Sequence, residues 1–155
     1  MRTQLSKNLS VKEVIKSNTA SRLGLDNTPT EEHLDNLVLV AENIFQPLRE
    51  HFDKPIGVSS GYRGEELNKA INGSKSSDHC QGRALDLDAD IFGDLTNAEI
   101  FNYIKDNLEY DQLIWEFGDR EEPNWVHVSY REGHNRNMRL RAYRNAERKT
   151  RYARI

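Results

Sequence analysis

The sequence contains a single cysteine, Cys80, so an intramolecular disulfide is excluded. It also lacks any run of about 18 apolar residues, which excludes a membrane-spanning helix of ordinary length. The start, Met1 to Lys7, has no apolar stretch of the kind that secretory signals carry. We therefore expect a protein made in the cytoplasm in soluble form, which would need another route to act outside the cell.

Few of the residues are apolar, yet enough large side chains are present to form a core. The hydrophobic fraction is 36% and the charged fraction is 30% of 155 residues. This length is in the range of one domain, and no repeat or low-complexity linker divides it. We predict one domain over residues 1–155, ending in a basic segment at 131–155.

Charge is distributed unevenly along the chain. Residues 131–155 contain nine Arg or Lys and two Glu, a net charge of +7, which leaves −10 for residues 1–130 to give the total of −3. Such a segment either contacts an anionic partner or forms a solvent-exposed strand and helix end whose positive charge offsets the negative charge of residues 1–130. Its aromatic residues are only Tyr143 and Tyr152, and no nucleic-acid docking motif is present, so we predict no nucleic-acid partner.

Helix signals dominate the first part of the sequence. From Leu34 to Leu48, apolar residues recur at spacings of three and four, which predicts a long amphipathic helix that Pro47 bends or ends. Three capping boxes mark expected helix starts, the second strengthened by Pro at the first helical position. They are Ser10 with Glu13, Thr28 with Glu31, and Thr96 with Glu99.

Strand signals dominate the second part. Alternation of period two predicts strands, and shorter helical patterns interrupt them. The expected strands cover 56–58, 83–88, 112–117, 125–130 and 138–143, and the expected helices cover 64–71 and 97–108. We predict an α+β fold in which a helical N-terminal half packs on a small, mostly antiparallel sheet.

Two histidines and an aspartate suggest a metal site. His79 is predicted in a loop, Asp86 in the following strand and His127 in another strand. Imidazole and carboxylate groups are the ligands of catalytic zinc, which takes about three protein ligands and keeps one position open. Cys80 and Asp88 are weaker ligand candidates. Spacing alone leaves open that these residues have separate structural roles.

The stretch from Ser77 to Asp86 matches the signature Ser-x-His-x-x-Gly-x-Ala-x-Asp position by position. It therefore resembles the zinc D-alanyl-D-alanine carboxypeptidases and the phage L-alanyl-D-glutamate endolysin peptidases. The resemblance extends to Ser60–Arg63 and to Trp125–Ser129, and it covers most of the chain. It implies a hedgehog/DD-peptidase-like fold and one Zn²⁺ per chain bound by His79, Asp86 and His127.

The resemblance also implies roles around the metal. Glu116 is the candidate general base, because flanking Trp115 and Phe117 would desolvate it and raise its pKa; Glu121 and Glu122 are alternatives in a loop. Arg63 would pair with a substrate carboxylate, and Ser77 would orient a ligand or substrate. Trp125 stands where these families often carry a second histidine, which leaves the oxyanion partner open.

The function implied is hydrolysis of D-amino-acid-containing bonds in peptidoglycan stem peptides, either as a D-Ala-D-Ala carboxypeptidase or as an L-Ala-D-Glu endopeptidase. The expected partner is the stem peptide, with no nucleic acid, no membrane span and a monomeric chain. A cell-wall-degrading enzyme of phage type fits the apparent lack of a signal peptide. The alternative is a non-catalytic, zinc-containing binding module of the same fold, which the absent second histidine favours.

Overall fold

The computed structural model describes residues 2–155, and this part of the chain combines six α-helices with eight strands. The helices are α1 (Val11–Ile15), α2 (Asn18–Leu23), α3 (Glu31–Val40), α4 (Gln46–Phe52), α5 (Glu65–Ala70) and α6 (Asn97–Asn107). The strands are β1 (Gln4–Ser6), β2 (Leu9–Ser10), β3 (Gly57–Ser60), β4 (Ala84–Asp88), β5 (Gln112–Glu116), β6 (Trp125–Ser129), β7 (Met138–Arg144) and β8 (Thr150–Arg154).

Local capping explains where most of the longer helices begin. The capping boxes predicted at Ser10 and at Thr96 are both present, with reciprocal hydrogen bonds to the glutamate three residues on. The box predicted at Thr28 is wrong, because Thr30 caps α3 and its hydroxyl accepts from the backbone N–H of His33 at 3.1 Å. The backbone N–H of Thr28 instead donates to the Asp26 carboxylate, which fixes a turn just before the helix.

The long apolar helix does not end at Pro47. A π-helical turn, Ala41–Phe45, joins α3 to α4, which contains Pro47 and continues to Phe52. Within this turn the N–H of Gln46 donates to the carbonyl of Ala41, five residues earlier. The helix therefore accommodates the proline, which lacks an N–H, by a local change of hydrogen-bonding pattern.

Six strands form the main sheet in the order β3-β4-β6-β5-β7-β8, while β1 and β2 form a separate antiparallel pair. Neighbouring strands are antiparallel except β5 and β7, which are parallel. The expected α+β class is thus confirmed in general terms. The N-terminal half also contains β1, β2 and β3, and β8 was not predicted.

The two faces of the central strands have different compositions. Alternate residues of β4, β5 and β6 belong to the buried core together with apolar residues of α3, α4 and α6; they are Leu85, Leu87, Leu113, Trp115, Val126 and Val128. Because side chains alternate along a strand, Asp86, Glu116 and His127 project from the other face. The helices therefore cover one face and leave the polar side chains on the other.

Among the described residues, no helix has the length and apolar character needed to cross a membrane.

Candidate metal centre

Strand pairing brings Asp86 and His127 together. Antiparallel pairing of β4 with β6 sets these two residues directly opposite each other, and directly paired residues project from the same face. The Nδ1 atom of His127 lies 3.0 Å from Oδ1 of Asp86. The pair is fixed by the backbone ladder in the interior of the sheet.

His79 reaches the same carboxylate from outside the sheet. It lies in a single 3₁₀ turn, Asp78–Gln81, whose N-cap is Ser77; the Ser77 hydroxyl accepts from the N–H of His79 at 3.2 Å. Its Nδ1 lies 2.7 Å from the carbonyl oxygen of Gly61, and its Nε2 lies 3.2 Å from Oδ1 of Asp86. Because a carbonyl only accepts, the Nδ1 atom carries the proton.

Gly82 allows this turn to run directly into β4. Its φ of +73° lies in the left-handed region, and a Cβ atom there would collide with the backbone carbonyl of His33. Two residues later, Ala84 is fully buried at the start of β4. The glycine and the small alanine of the signature thus have steric roles in bringing His79 close to Asp86.

The three side chains fit a metal ion. One ligand atom from each of His79, Asp86 and His127 lies within 4.8 Å of the other two. When Nδ1 of a neutral His79 donates its proton to the Gly61 carbonyl, Nε2 carries a lone pair that faces Oδ1 of Asp86. Both of these atoms are hydrogen-bond acceptors, so a cation or a proton is needed between them. Ligands of tetrahedral zinc, bound at about 2.0–2.1 Å, lie roughly 3.3 Å apart.

Neighbouring side chains of this group shift the pKa values of Asp86 and His127. Burial opposes ionisation of Asp86, but the neighbouring His79 and His127 hold the pKa of this carboxyl well below its ordinary value. Burial alone would lower the pKa of His127, yet the hydrogen bond and negative charge of Asp86 raise it. The Asp86 carboxylate therefore favours the protonated form of His127, and the two charges stabilise each other.

Glu116 lies beside this group, on the same face of the sheet. It is the last residue of β5 and pairs with Trp125 on β6, two residues before His127. Its side chain is 8% exposed, and burial raises its pKa to about 7, with a smaller opposing effect from His127 and a further rise from Asp86. A carboxyl group with this pKa can exchange a proton near neutral pH.

Arg63 and Ser77 are in contact at one end of the group. The guanidinium Nη2 of Arg63 donates to the hydroxyl of Ser77 at 3.0 Å, and its backbone N–H donates to the carbonyl of His79. The Nε atom of Arg63 is buried and has no hydrogen-bond partner within the described residues. A buried donor of this kind is suited to an anionic ligand.

One cleft of about 490 Å³ unites these residues. All seven predicted site residues line it: Arg63, Ser77, His79, Asp86, Glu116, Trp125 and His127. Leu140, Thr150 and Tyr152, which were not predicted, line it as well. Leu140 lies in a strand that the alternation predicted but without a site role, and the signal for Thr150 and Tyr152 was weak because 150–154 is basic and has little apolar alternation.

The alternative candidates have other contacts. A carboxylate oxygen of Glu122 accepts from the N–H of Ala98, and Oδ1 of Asp88 accepts from the N–H of Asp90 and from the Asn97 amide. Cys80 is outside the group of possible metal ligands. Among the candidate carboxylates, Glu116 and Asp86 are the two that line the cleft.

Part of the basic segment is tied to the acidic body. Nη2 of Arg131 contacts Asp78 at 2.7 Å, and Arg136 contacts Asp111 through Nε and Nη2, both at 2.8 Å. Asp111 is fully buried immediately before β5. These ion pairs agree with a role in balancing acidic charge, although the segment continues into the hairpin of β7 and β8, without the expected helix end.

Two imidazoles, one carboxylate and a neighbouring buried glutamate define a candidate mononuclear metal centre of hydrolytic type. The family model described as Peptidase M15 matches residues 7–129, which is most of the chain. The chain belongs to this family, and it is a zinc-dependent metallopeptidase, as the sequence resemblance predicted. A comparison with curated proteins finds no match.

Proposed function

We propose that the protein hydrolyses D-amino-acid-containing bonds of peptidoglycan stem peptides. Membership of the Peptidase M15 family supports a peptidase that acts on peptidoglycan. The observation that carries the proposal is the convergence of His79, Asp86 and His127 in a cleft that also contains Glu116. Such a site combines metal ligands with a proton acceptor, as peptide hydrolysis requires.

In this proposal His79, Asp86 and His127 bind one zinc ion. When bound, zinc would act as a Lewis acid that activates water near neutral pH and polarises the scissile carbonyl. The hydrogen bond between His79 Nδ1 and the Gly61 carbonyl orients that imidazole so that Nε2 faces the metal position. Asp86 supplies the negative charge that compensates the cation.

Glu116 takes the proton from the attacking water and transfers it to the leaving amine. Its carboxyl group is buried on β5, next to the strand that contains His127. Burial raises its pKa to about 7, and a cation nearby would lower this pKa and favour the ionised base. The group therefore has the proton affinity that alternating acceptor and donor roles require.

Arg63, Ser77 and Trp125 bind or orient the substrate. A guanidinium with a free buried N–H suits a carboxylate of the stem peptide, and Ser77 fixes its orientation. Trp125 lies opposite Glu116, with its ring centroid 5.5 Å from that of Phe117. This aromatic pair forms an apolar wall of the cleft beside the proposed base.

The proposal includes a single hedgehog/DD-peptidase-like domain that acts as a monomer on the cell wall, of the type found in phage endolysins. Both an exposed D-Ala-D-Ala terminus and an internal L-Ala-D-Glu bond fit it, because both substrates contain a carboxylate that Arg63 can bind. Nothing in the proposal requires a membrane or nucleic-acid partner.

A zinc-containing binding module without turnover is the second candidate. Trp125 favours it, because an indole stays neutral and cannot place a positive charge beside the carbonyl oxygen as a protonated imidazole can. Against it, Glu116 has the burial and proton affinity of a general base. The two candidates differ in one measurable property, namely whether the peptide bond is cut.

The test is hydrolysis of stem peptides ending in D-Ala-D-Ala, monitored by mass spectrometry, after chelation and with or without added zinc. We expect zinc-dependent cleavage by the wild type and a loss of at least about 100-fold in Glu116→Ala, with zinc binding retained. Glu121→Ala is the matched control, since Glu121 is exposed and does not line the cleft. Zinc binding without cleavage by the wild type would favour the binding module.

A further inference from the structure

The β7–β8 hairpin completes the cleft, although it lies beyond the part of the chain that matches the family. The match ends at residue 129, whereas Leu140, Thr150 and Tyr152 all line the cleft around the proposed metal site. These residues belong to β7 and β8. One wall of the site is therefore built by a segment that lies outside the residues matched to the family.

Strand register sets Tyr152 in line with Glu116. Glu116 pairs with Ala142 of β7, and Ala142 pairs with Tyr152 of β8, so the three residues form one row on the same face. Two strand spacings, about 10 Å, separate the backbones of Glu116 and Tyr152. Between them Ala142 projects only a methyl group, which leaves room for the tyrosine ring above β7.

The hairpin is held in a defined geometry by its turn. The side-chain oxygen of Asn145 accepts from the N–H groups of Glu147 and Lys149, both at 3.0 Å. The backbone N–H of Asn145 donates to the carbonyl of Lys149. Five register pairs between β7 and β8 follow this turn. Tyr152 is therefore presented by a paired strand of the sheet.

The environment of Tyr152 is that of a cleft wall. Its side chain is 56% exposed and lines the cleft, so both the ring and the hydroxyl are accessible to a ligand bound there. Partial burial raises the pKa of its hydroxyl, and the charges of Glu116 and Asp86 raise it further, so the phenol stays protonated and can donate a hydrogen bond. Tyr143, by contrast, pairs with Arg151 on the opposite face and does not line the cleft.

The cleft extends from the metal ligands in two directions. Arg63 lies towards β3, on the side of His79, whereas Tyr152 and Thr150 lie on β8, beyond Glu116. The proposed reacting atoms are thus between two separate binding walls. Five strand spacings, about 24 Å, separate β3 from β8, whereas two extended residues span at most about 7 Å. A ligand that touches both walls is therefore longer than the two residues that flank the scissile bond.

We propose that Tyr152, assisted by Thr150, forms a substrate-binding subsite on the far side of Glu116 from Arg63. The ring packs against the peptide, and the hydroxyl donates to one of its carbonyl groups. The subsite recognises residues of the stem peptide remote from the cleaved bond and so selects long peptides over dipeptides. This inference rests on the proposed function, because it takes the stem peptide as the ligand.

The test measures binding separately from turnover. In zinc-loaded Glu116→Gln, which should hold substrate uncut, NMR titration gives the affinity for an intact stem pentapeptide and for the dipeptide spanning the bond that the wild type cleaves. Adding Tyr152→Ala should weaken pentapeptide binding about tenfold and leave dipeptide binding unchanged. Tyr152→Phe separates the hydroxyl from the ring, and Tyr143→Ala is the matched control with no expected effect.

Each outcome has a distinct meaning. Pentapeptide binding that is unchanged in Tyr152→Ala, or an equal loss for the pentapeptide and the dipeptide, overturns the subsite while the proposed function stands. If the Glu116→Gln parent binds neither peptide although it binds zinc, the proposed function itself fails. Zinc affinity, measured for every variant, separates these results from misfolding.

Discussion

Glu116 should make the metal-free protein less stable as the pH rises. Its pKa in the folded protein is about 7, against an ordinary value of 4.5, and the folded state therefore binds this proton more tightly than the unfolded state. Its stabilising contribution is complete below about pH 4.5 and is lost as the pH rises through 7. A shift of this size corresponds to roughly 3 kcal/mol of unfolding free energy.

The Glu116→Gln variant isolates this effect, since glutamine has a similar shape and does not ionise. In the presence of a chelator, we expect the variant to gain roughly 3 kcal/mol relative to the wild type at pH 8 and less than about 1 kcal/mol at pH 5. Urea unfolding followed by tryptophan fluorescence measures both differences. Asp86 and His127 are unchanged between the two proteins, so their titration largely cancels.

The control is Glu121→Gln, at an exposed position of the loop between β5 and β6. It should leave the unfolding free energy unchanged at both pH values. Zinc should reduce the difference between Glu116→Gln and the wild type at pH 8, because a nearby cation stabilises the ionised carboxylate. An advantage of Glu116→Gln that is equal at pH 5 and pH 8 would refute the reasoning.

Two further predictions concern charged pairs. Zinc binding near pH 6.5 should release a proton, because Asp86 raises the pKa of His127 and a zinc ligand must be deprotonated. Calorimetry of zinc binding in buffers of different ionisation enthalpy measures the number of protons released. A binding heat that does not depend on the buffer would contradict the prediction. Asp111→Asn should lower the unfolding free energy by about 2 kcal/mol, because asparagine lacks the buried negative charge and its NH₂ group cannot accept the hydrogen bond that Oδ2 accepts from Nη2 of Arg136. The exposed Asp106→Asn is the control in urea unfolding.

The residues of the metal group could be predicted because their signature is local. From Ser77 to Asp86, one turn, one left-handed glycine and one strand bring His79 to Asp86. The strand that contains His127 was predictable from its alternation. The pairing of β4 with β6 depends on hydrogen bonds between residues far apart in the sequence. Only the resemblance to a known family indicated that His127 joins His79 and Asp86.

The last strand escaped prediction for a physical reason. Thr150–Arg154 has no apolar face, and its residues are largely exposed on both sides. It is a strand because its backbone pairs with β7, not because its side chains bury a surface. The same absence of pattern concealed Tyr152. The parallel pairing of β5 with β7 was missed for another reason, because alternation predicts strands but does not determine their order in the sheet.

The position of the site in the sheet explains why buried charge can be tolerated there. Asp86, His127 and Glu116 lie on β4, β6 and β5, and each of these strands has a neighbour on both sides. The backbone ladder therefore fixes the side chains before any metal binds, while Leu85 and Val126 on the opposite face bury apolar surface. Burial of these polar groups opposes folding. Burial of the apolar side chains that alternate with them on the same strands favours folding and offsets this cost. Strict alternation in the three central strands thus preorganises Asp86, His127 and Glu116, and the 3₁₀ turn before β4 adds His79.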